Sequence, residues 1–392
     1  MNLRLILYLV GFSAFTGSLG QNLYTPLLSD MQKELNTTSY LMSLTVSLFL
    51  VALAVMQIVF GPLADSKGRR KVLLPALVLY CAASLGAAFS HSIGLFLVFR
   101  VLQGIGSAVL PVVGAAVIGD LFREKELAKG MAVYQLMILL APAVGPLLGG
   151  VIGEKFGYQG VFLFLTFLIL LLLLANMKFL PETKSQTLST KKFSLRSFSI
   201  IFRNHLGAVV VLYGFVQCVV YLAYIVFVPQ ILSTFYRMSS GKVGLVLLLM
   251  SVCTIVSITI GSWMRNRMGS GRGLLYAFLF QSCSVVLFAL TAHLSLPLLI
   301  VDVCLFGFTM GLTASMPTTI LAEQFPEERA TAIGVFNLVR YIGSALGPMI
   351  GSLLYVENNL KPLFLTCGIV YFISVLLGGW WMRSKRLKVV TS

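Results

Sequence analysis

Twelve apolar stretches of about 20 residues each limit what this chain can fold into, since a helix of that length crosses about 30 Å of hydrocarbon. The predicted helices cover residues 3–28, 41–63, 72–90, 93–119, 130–152, 160–180, 206–232, 243–264, 273–292, 297–322, 331–355 and 362–382. Strands of a membrane barrel would instead alternate apolar and polar residues over about ten positions. Charged residues make up only 11% of the chain. The sequence therefore predicts an all-α integral membrane protein.

The net charge of +16 is unevenly distributed over the predicted loops. With a cytoplasmic N-terminus, 22 of the 29 Lys and Arg lie on the cytoplasmic side. The exceptions are Lys33, Lys155, Arg237, Lys242 and Lys361 on the outer side and Arg100 and Arg340 within helices. This asymmetry places both termini in the cytoplasm of a bacterial cell. The basic charge thus indicates membrane topology and contact with membrane lipids, and it does not indicate nucleic-acid binding.

A polar segment at residues 181–205 separates the helices into two sets of six, and the two sets repeat each other. The stretch 119–150, which ends in "APAVGPLLGG", matches the stretch 322–352, which contains "GSALGPMIGS". Parallel repeats of this kind enclose a binding site near the middle of the membrane in transporters. We expect two pseudo-symmetric bundles at 1–180 and 206–392, a cytoplasmic linker at 181–205, and a monomer.

The stretch "GPLADSKGRRKV" at 61–72 joins predicted helices 2 and 3. Gly61 is expected to permit close helix contact and Gly68 a tight turn. Asp65 places a carboxylate at the membrane edge, where Arg69 and Arg70 face lipid phosphates.

Glycine and proline are concentrated in helices 5 and 11. Small residues let helices pack closely in lipid, and prolines bend a helix because each removes a backbone hydrogen bond. The residues expected to form this packing hinge are Pro142, Gly145, Pro146, Gly149, Gly150, Gly347 and Pro348.

These motifs resemble the signatures of the major facilitator superfamily. The loop at 61–72 resembles G-x-x-x-D-x-x-G-R-[KR], "RVLQGIGSAVLP" at 100–111 resembles the helix 4 pattern R-x-x-Q-G, and 141–150 resembles the antiporter pattern G-P-x-x-G-G of helix 5. The stretch "NLYTPLL" at 22–28 is similar to helix 1 of twelve-helix drug:proton antiporters, in particular the bicyclomycin and chloramphenicol exporter branch. The resemblance implies the major facilitator fold and proton-coupled export.

The resemblance also implies a conformational latch on the cytoplasmic side. In that family Asp65, Arg69 and an acid at the end of helix 4, here Asp120, are taken to favour the outward-open state. The latch set is Gly61, Asp65, Gly68, Arg69, Arg70 and Asp120. The alternative role of these residues is only to anchor the loop.

Ionisable side chains within the predicted helices are few, and each costs roughly 2.5–3.5 kcal/mol in hydrocarbon, so such residues are usually functional. Related exporters often carry the coupling acid in helix 1, where this chain has Asn22, which cannot titrate. The proton-coupling candidates are therefore Asp302 and Asp30. Because Asp302 and Arg340 differ by only about 8 Å in predicted depth, a structural ion pair between them is the alternative for Asp302.

Polar and aromatic residues on helices 1, 4, 5, 7 and 11 are candidates for lining a substrate cavity. They are Gln21, Asn22, Tyr24, Arg100, Gln135, Tyr213, Gln217, Tyr221, Asn337 and Arg340. The helix 7 members share one face with Tyr224, and hydrogen bonding between helices is their alternative role.

The sequence contains no pattern for a metal site, a nucleophile with its base or a phosphate loop, so we expect no cofactor and no enzyme activity. An ion gradient must then supply the energy. The predicted function is multidrug or antibiotic efflux by proton antiport across the bacterial cytoplasmic membrane. The alternatives are export of an endogenous anionic metabolite or metal chelator, which Arg340 would favour, a nutrient importer, and a receptor or scaffold that binds a partner through 181–205.

Overall fold

Helices form nearly all the regular structure of the computed structural model, which describes residues 3–122, 124–183, 201–202, 204–325, 329–356 and 359–384. The first seven helices are α1 (Leu3–Asn22), α2 (Leu28–Glu34), α3 (Ser39–Lys67), α4 (Arg69–Ala88), α5 (Ile93–Ser107), α6 (Val109–Leu121) and α7 (Glu124–Phe179). The other seven are α8 (His205–Thr234), α9 (Ser240–Met268), α10 (Ser270–Thr291), α11 (Leu296–Ala314), α12 (Met316–Gln324), α13 (Arg329–Leu354) and α14 (Lys361–Ser384).

The described residues form 11 continuous apolar stretches long enough to cross a membrane. One of them, within α7, runs for 51 residues from Lys129 to Phe179 and changes direction at Gly157, where φ is 64°. At 1.5 Å per residue it extends about 75 Å, enough for two crossings. The predicted helices 5 and 6 are thus joined without a loop, and the chain is a multi-pass membrane protein whose crossings agree with the predicted twelve.

Three of the predicted helices contain an irregular turn, which the apolar pattern did not indicate. Helix 1 has a short 3₁₀ turn after Asn22, Thr25–Leu27, where Pro26 lacks a backbone donor. Helix 4 is irregular at Ala108, where the backbone stays in the α region and the N–H still donates to the Gly104 carbonyl at 3.2 Å. Helix 10 is irregular at Ser315, which also keeps α-region torsion angles. These turns interrupt the regular helix without ending the membrane crossing.

The chain divides into two compact units. Unit 1 comprises Met1–Lys191 together with Leu232–Leu248, and unit 2 comprises Lys192–Ile231 together with Leu249–Ser392. In unit 1, α1 lies along α7, and α5 packs between α3 and α4. In unit 2, α10 packs against both α11 and α14. The charged side chains described below are therefore held by helix–helix contacts within each unit.

Candidate functional site

The three predicted latch residues come together in unit 1. Arg69 is 5% exposed, and its guanidinium forms ion pairs with Asp65 and with Asp120, the latter at 3.2 Å from Nε. The turn between α3 and α4 brings Asp65 and Arg69 together, and α6 supplies Asp120 at its penultimate residue. Because one buried cation holds two acids from separate helices, these contacts tie α3, α4 and α6 together at this end of the unit.

Glu182 strengthens the same region, and the sequence analysis did not identify it. Its two carboxylate oxygens accept from the backbone N–H groups of Arg70 and Lys71, each at 3.3 Å, at the start of α4. The Arg70 side chain also donates to the Met177 carbonyl. A carboxylate at a helix N-terminus is favourable because it accepts unsatisfied N–H groups and opposes the helix dipole. The sequence feature that could have indicated this contact is an acid directly after predicted helix 6, in the same half as the basic loop at 61–72.

The two glycines of the loop motif differ in role. Gly68 has a φ of 106°, as expected for a tight turn, and a Cβ there would lie 2.6 Å from the Glu182 carboxylate. Gly61 has open space around it, since a Cβ would meet no atom within 4 Å. The expectation that Gly61 permits a close helix contact is therefore wrong.

The predicted packing glycines mostly do bring backbones close together. In unit 1, Gly149 lies against the carbonyl of Leu23, and a Cβ at Gly145 would be 3.2 Å from the Asn22 Cβ. Gly150 lies against the Ser240 carbonyl of the same unit. Pro142 and Pro146 lie inside the part of α7 that precedes the kink at Gly157.

In unit 2, α13 approaches α8 in the same way. Gly347 lies against the Val219 carbonyl, and a Cβ at Gly343 would be 2.6 Å from the Phe215 carbonyl oxygen. Pro348 lies within α13. Gly343 and Gly347 therefore lie where α13 closely approaches the backbone of α8.

Arg100 is completely buried in unit 1, where it joins α5 to α1 and α3. Its Nε donates to the Thr45 carbonyl at 3.1 Å, and its Nη1 donates to Gln103 Oε1 at 2.8 Å and to the Gly20 carbonyl at 3.4 Å. Gln103 in turn donates to Ser84 Oγ at 2.8 Å. Sequence analysis passed over Gln103, although the R-x-x-Q spacing places it beside Arg100 on one helix face.

Two aromatic rings pack against the Arg100 guanidinium. The Tyr24 ring centroid lies 4.5 Å from Cζ and the Phe49 ring centroid 4.3 Å from it. The Tyr24 hydroxyl is hydrogen-bonded to Thr45 Oγ1 at 3.1 Å. Two of the predicted cavity residues, Tyr24 and Arg100, are therefore in contact within a buried cluster.

Asp302 lies in α11 of unit 2 and is 2% exposed. It accepts a hydrogen bond from the Thr291 hydroxyl at the end of α10. Arg340 lies half-buried on α13, where its Nε donates to Cys218 Sγ at 3.3 Å and its guanidinium carbon lies 5.4 Å from the Phe336 ring centroid. Among the described residues, Asp302 and Arg340 form no ion pair with each other or with any other side chain.

Predicted helix 7 corresponds to α8, and two of its cavity candidates, Tyr213 and Gln217, pack inside unit 2. The Tyr213 hydroxyl donates to the Val375 carbonyl at 3.0 Å, and Gln217 donates to Gln281 Oε1 at 3.0 Å. Tyr371 donates to the same Gln281 oxygen at 2.9 Å. These contacts correspond to the alternative role, hydrogen bonding between helices, whereas Tyr221 is half-exposed near Arg340.

The other predicted cavity and proton-site residues are less constrained. Gln135 is exposed, Gln21 and Asn337 are half-buried, and Asn22 is buried with its amide donating to the Ser18 carbonyl at 2.9 Å. The exposed Asp30 accepts from Ser240 Oγ at 2.8 Å, beside Glu154, which accepts from the Gly241 N–H at 3.2 Å. Those two acids hold the beginning of α9 against unit 1.

Comparison with known proteins connects this arrangement to a family. A bicyclomycin resistance protein homolog from Haemophilus influenzae is 25% identical over 389 residues, which are 97% of this chain and 96% of that protein. Citrate exporter 1 of Aspergillus niger is 32% identical over 175 residues, and this match spans 45% of this chain but only 33% of that protein's length. The solved structure of a D-xylose–proton symporter has the same fold, with a TM-score of 0.81, 14% identity and 96% and 97% of the two chains covered.

A family model provides the remaining comparison. The model of the Major Facilitator Superfamily matches residues 10–348 and, in a second match, residues 210–391. Together the two matches take in both repeated halves and every motif discussed above. The chain therefore belongs to the Major Facilitator Superfamily.

Proposed function

We propose that the chain exports small molecules, mainly drugs or antibiotics, across the bacterial cytoplasmic membrane in exchange for protons, by alternating access. The observation that carries this proposal is the match along nearly the whole chain to a bicyclomycin resistance protein homolog. The repeated halves support it, because parallel repeats are typical of such transporters. The distribution of Lys and Arg supports a cytoplasmic location for both termini.

Asp302 is the carboxylate best suited to carry the proton. It is buried, it accepts one hydrogen bond from Thr291, and no cation pairs with it among the described residues. A carboxylate that no cation holds in its charged form is free to take up and release a proton. Asp30 is exposed and is hydrogen-bonded to Ser240, which makes it the second candidate.

The cluster of Asp65, Arg69 and Asp120 would act as the conformational latch. Its contacts join three helices of one unit at the end that carries the basic loop. With both termini in the cytoplasm, this end faces the cytoplasm, and the latch closes and opens as the transporter changes state.

Transport in everted membrane vesicles from cells that produce the full chain tests the proposal. Uptake of bicyclomycin, chloramphenicol and ethidium is measured with and without an imposed pH gradient. We expect gradient-dependent accumulation of at least one compound. Absence of gradient-dependent accumulation for every compound would contradict proton-driven export.

The Asp302→Asn variant tests the proton site in the same vesicles. We expect it to lose gradient-driven uptake while it retains counterflow exchange, because exchange needs no net proton movement. Glu34→Gln is the control, since Glu34 is a carboxylate that accepts from Gln159 at 2.6 Å and has no place in the proposed mechanism. Unchanged coupling in Asp302→Asn would eliminate this residue as the proton site.

An anionic cargo is the second candidate, and Arg340 is the observation that favours it. Its guanidinium is half-buried beside a thiol and an aromatic ring, with no acid in ion-pair contact among the described residues. The partial match to a citrate exporter agrees with this reading. Arg340→Ala should then reduce citrate uptake at least about tenfold more than ethidium uptake, because a charge-assisted hydrogen bond is lost. Equal losses for the two compounds would indicate that Arg340 is structural.

A further inference from the structure

Arg100 is a buried cation with no carboxylate within ion-pair distance of its guanidinium in the described part of the chain. Arg69, in the same unit, contacts two acids. An uncompensated charge at full burial is strongly unfavourable, so its presence calls for a binding partner.

The hydrogen bonds of Arg100 leave one edge of the guanidinium unused. Nε and Nη1 donate to Thr45, Gly20 and Gln103, whereas Nη2 is buried and has no hydrogen-bond partner among the described residues. The donors that remain for a further group are therefore the two N–H groups of Nη2. In-plane approach to paired N–H donors is the geometry by which arginine binds carboxylates.

Helix 1 is irregular beside Arg100. Tyr24, whose ring packs on the guanidinium, lies between α1 and the 3₁₀ turn that precedes α2. Substrate sites of secondary transporters are commonly formed at interrupted helices near the middle of the membrane. The position of this turn beside an unpaired cation therefore supports a ligand site.

We propose that the Nη2 edge of Arg100 binds the carboxylate of the transported molecule, so that the cargo includes compounds with an anionic group. This proposal rests on the proposed export function and specifies the class of substrate. Gln103, which is hydrogen-bonded to Ser84, positions the guanidinium through the bond that it accepts from Nη1. The bound carboxylate supplies the negative charge that unit 1 lacks at this position.

Ligand-induced thermal stabilisation of the purified full chain tests the site without any ion gradient. The probes are benzoate, its uncharged analogue benzamide, citrate and chloride. Gln103→Glu is the critical variant, because it places a carboxylate on Arg100 with almost no change in size. Gln281→Glu is the matched control, since Gln281 is equally buried but lies in unit 2.

We expect benzoate and citrate, but not benzamide, to stabilise the wild-type chain. Gln103→Glu should weaken benzoate binding at least about tenfold, whereas Gln281→Glu should change it less than about twofold. Equal binding by Gln103→Glu and wild type would overturn the proposal, as would absence of stabilisation by either carboxylate. If chloride alone produced the full stabilisation, the site would bind an inorganic ion, and the proposal of carboxylate binding would also be overturned.

A second variant keeps the test decisive if Gln103→Glu does not fold. Arg100→Met removes the unpaired charge and retains most of the side-chain length. We expect the ligand-free variant to be at least as thermostable as wild type and to lose its response to benzoate. A large fall in stability with the benzoate response retained would show that Arg100 is structural. Binding without gradient-driven transport would contradict export and leave this site intact.

Discussion

Gly149 offers the most direct test of how the helices of unit 1 pack. A Cβ at this position would overlap the Leu23 carbonyl oxygen and would lie 2.6 Å from the carbonyl carbon. Both are backbone atoms, so no side-chain rotation relieves the contact. Gly149→Ala must therefore push α7 away from the end of α1.

The size of the effect follows from two opposing terms. Overpacking costs typically about 1–3 kcal/mol, and contact with backbone places this case at the upper end. Alanine recovers about 1 kcal/mol through its higher helix propensity. The net loss of about 1–2 kcal/mol should lower the apparent Tm of this 392-residue chain by roughly 1–3 °C.

The assay is thermal unfolding of the purified full chain, read by loss of the monodisperse peak on size exclusion. Gly61→Ala is the matched control, because Gly61 lies in the same unit with no atom within 4 Å of a Cβ, so its apparent Tm should stay equal or rise. Gly145→Ala should fall between the two, since its Cβ would meet Asn22 at 3.2 Å. Equal losses in Gly61→Ala and Gly149→Ala would refute the packing argument.

Two further predictions concern hydrogen bonds and ion pairs between helices. Tyr224→Phe should leave thermal stability equal or higher, because the buried Tyr224 hydroxyl makes no hydrogen bond to any residue that the structure describes. Tyr213→Phe should instead cost about 1 kcal/mol through loss of the bond to Val375. The reverse order of apparent Tm values would contradict these assignments. Asp120→Asn should slow gradient-driven uptake in everted vesicles at least about threefold, because Arg69 then retains an ion pair with Asp65 alone. Normal uptake by this variant would show that the cluster of Asp65, Arg69 and Asp120 only anchors the loop.

The sequence predicted the features that depend on composition over a whole helix or on short spacing. The length of each apolar run indicated the crossings, and the glycine and proline spacing in helices 5 and 11 identified the segments that approach α1 and α8. The loop motif brought Asp65 and Arg69 together across a single turn. Each of these properties is set by residues close in sequence, which is why no tertiary information was needed.

Features that depend on which side of a helix a residue faces were not predictable from the sequence. Asp302 and Arg340 were expected at similar depth, but depth gives no information on which side of its helix each residue lies, and each contacts a different partner. Position 61 carries a glycine, as close packing of helices would require, but this glycine faces open space. Glu182 contacts α4 from more than 100 positions away, a separation that no spacing rule covers.

The two buried charges occupy nearly matching positions of the repeat. Arg100 follows the helix cap Ser92 by eight residues, and Asp302 follows the cap Ser295 by seven. Neither has an oppositely charged partner within the described part of its own unit. On the proposals above, an anionic cargo neutralises Arg100 and a proton neutralises Asp302. On these proposals the cargo and the proton bind to different units, so exchange of one for the other requires a coupling free energy between the two sites.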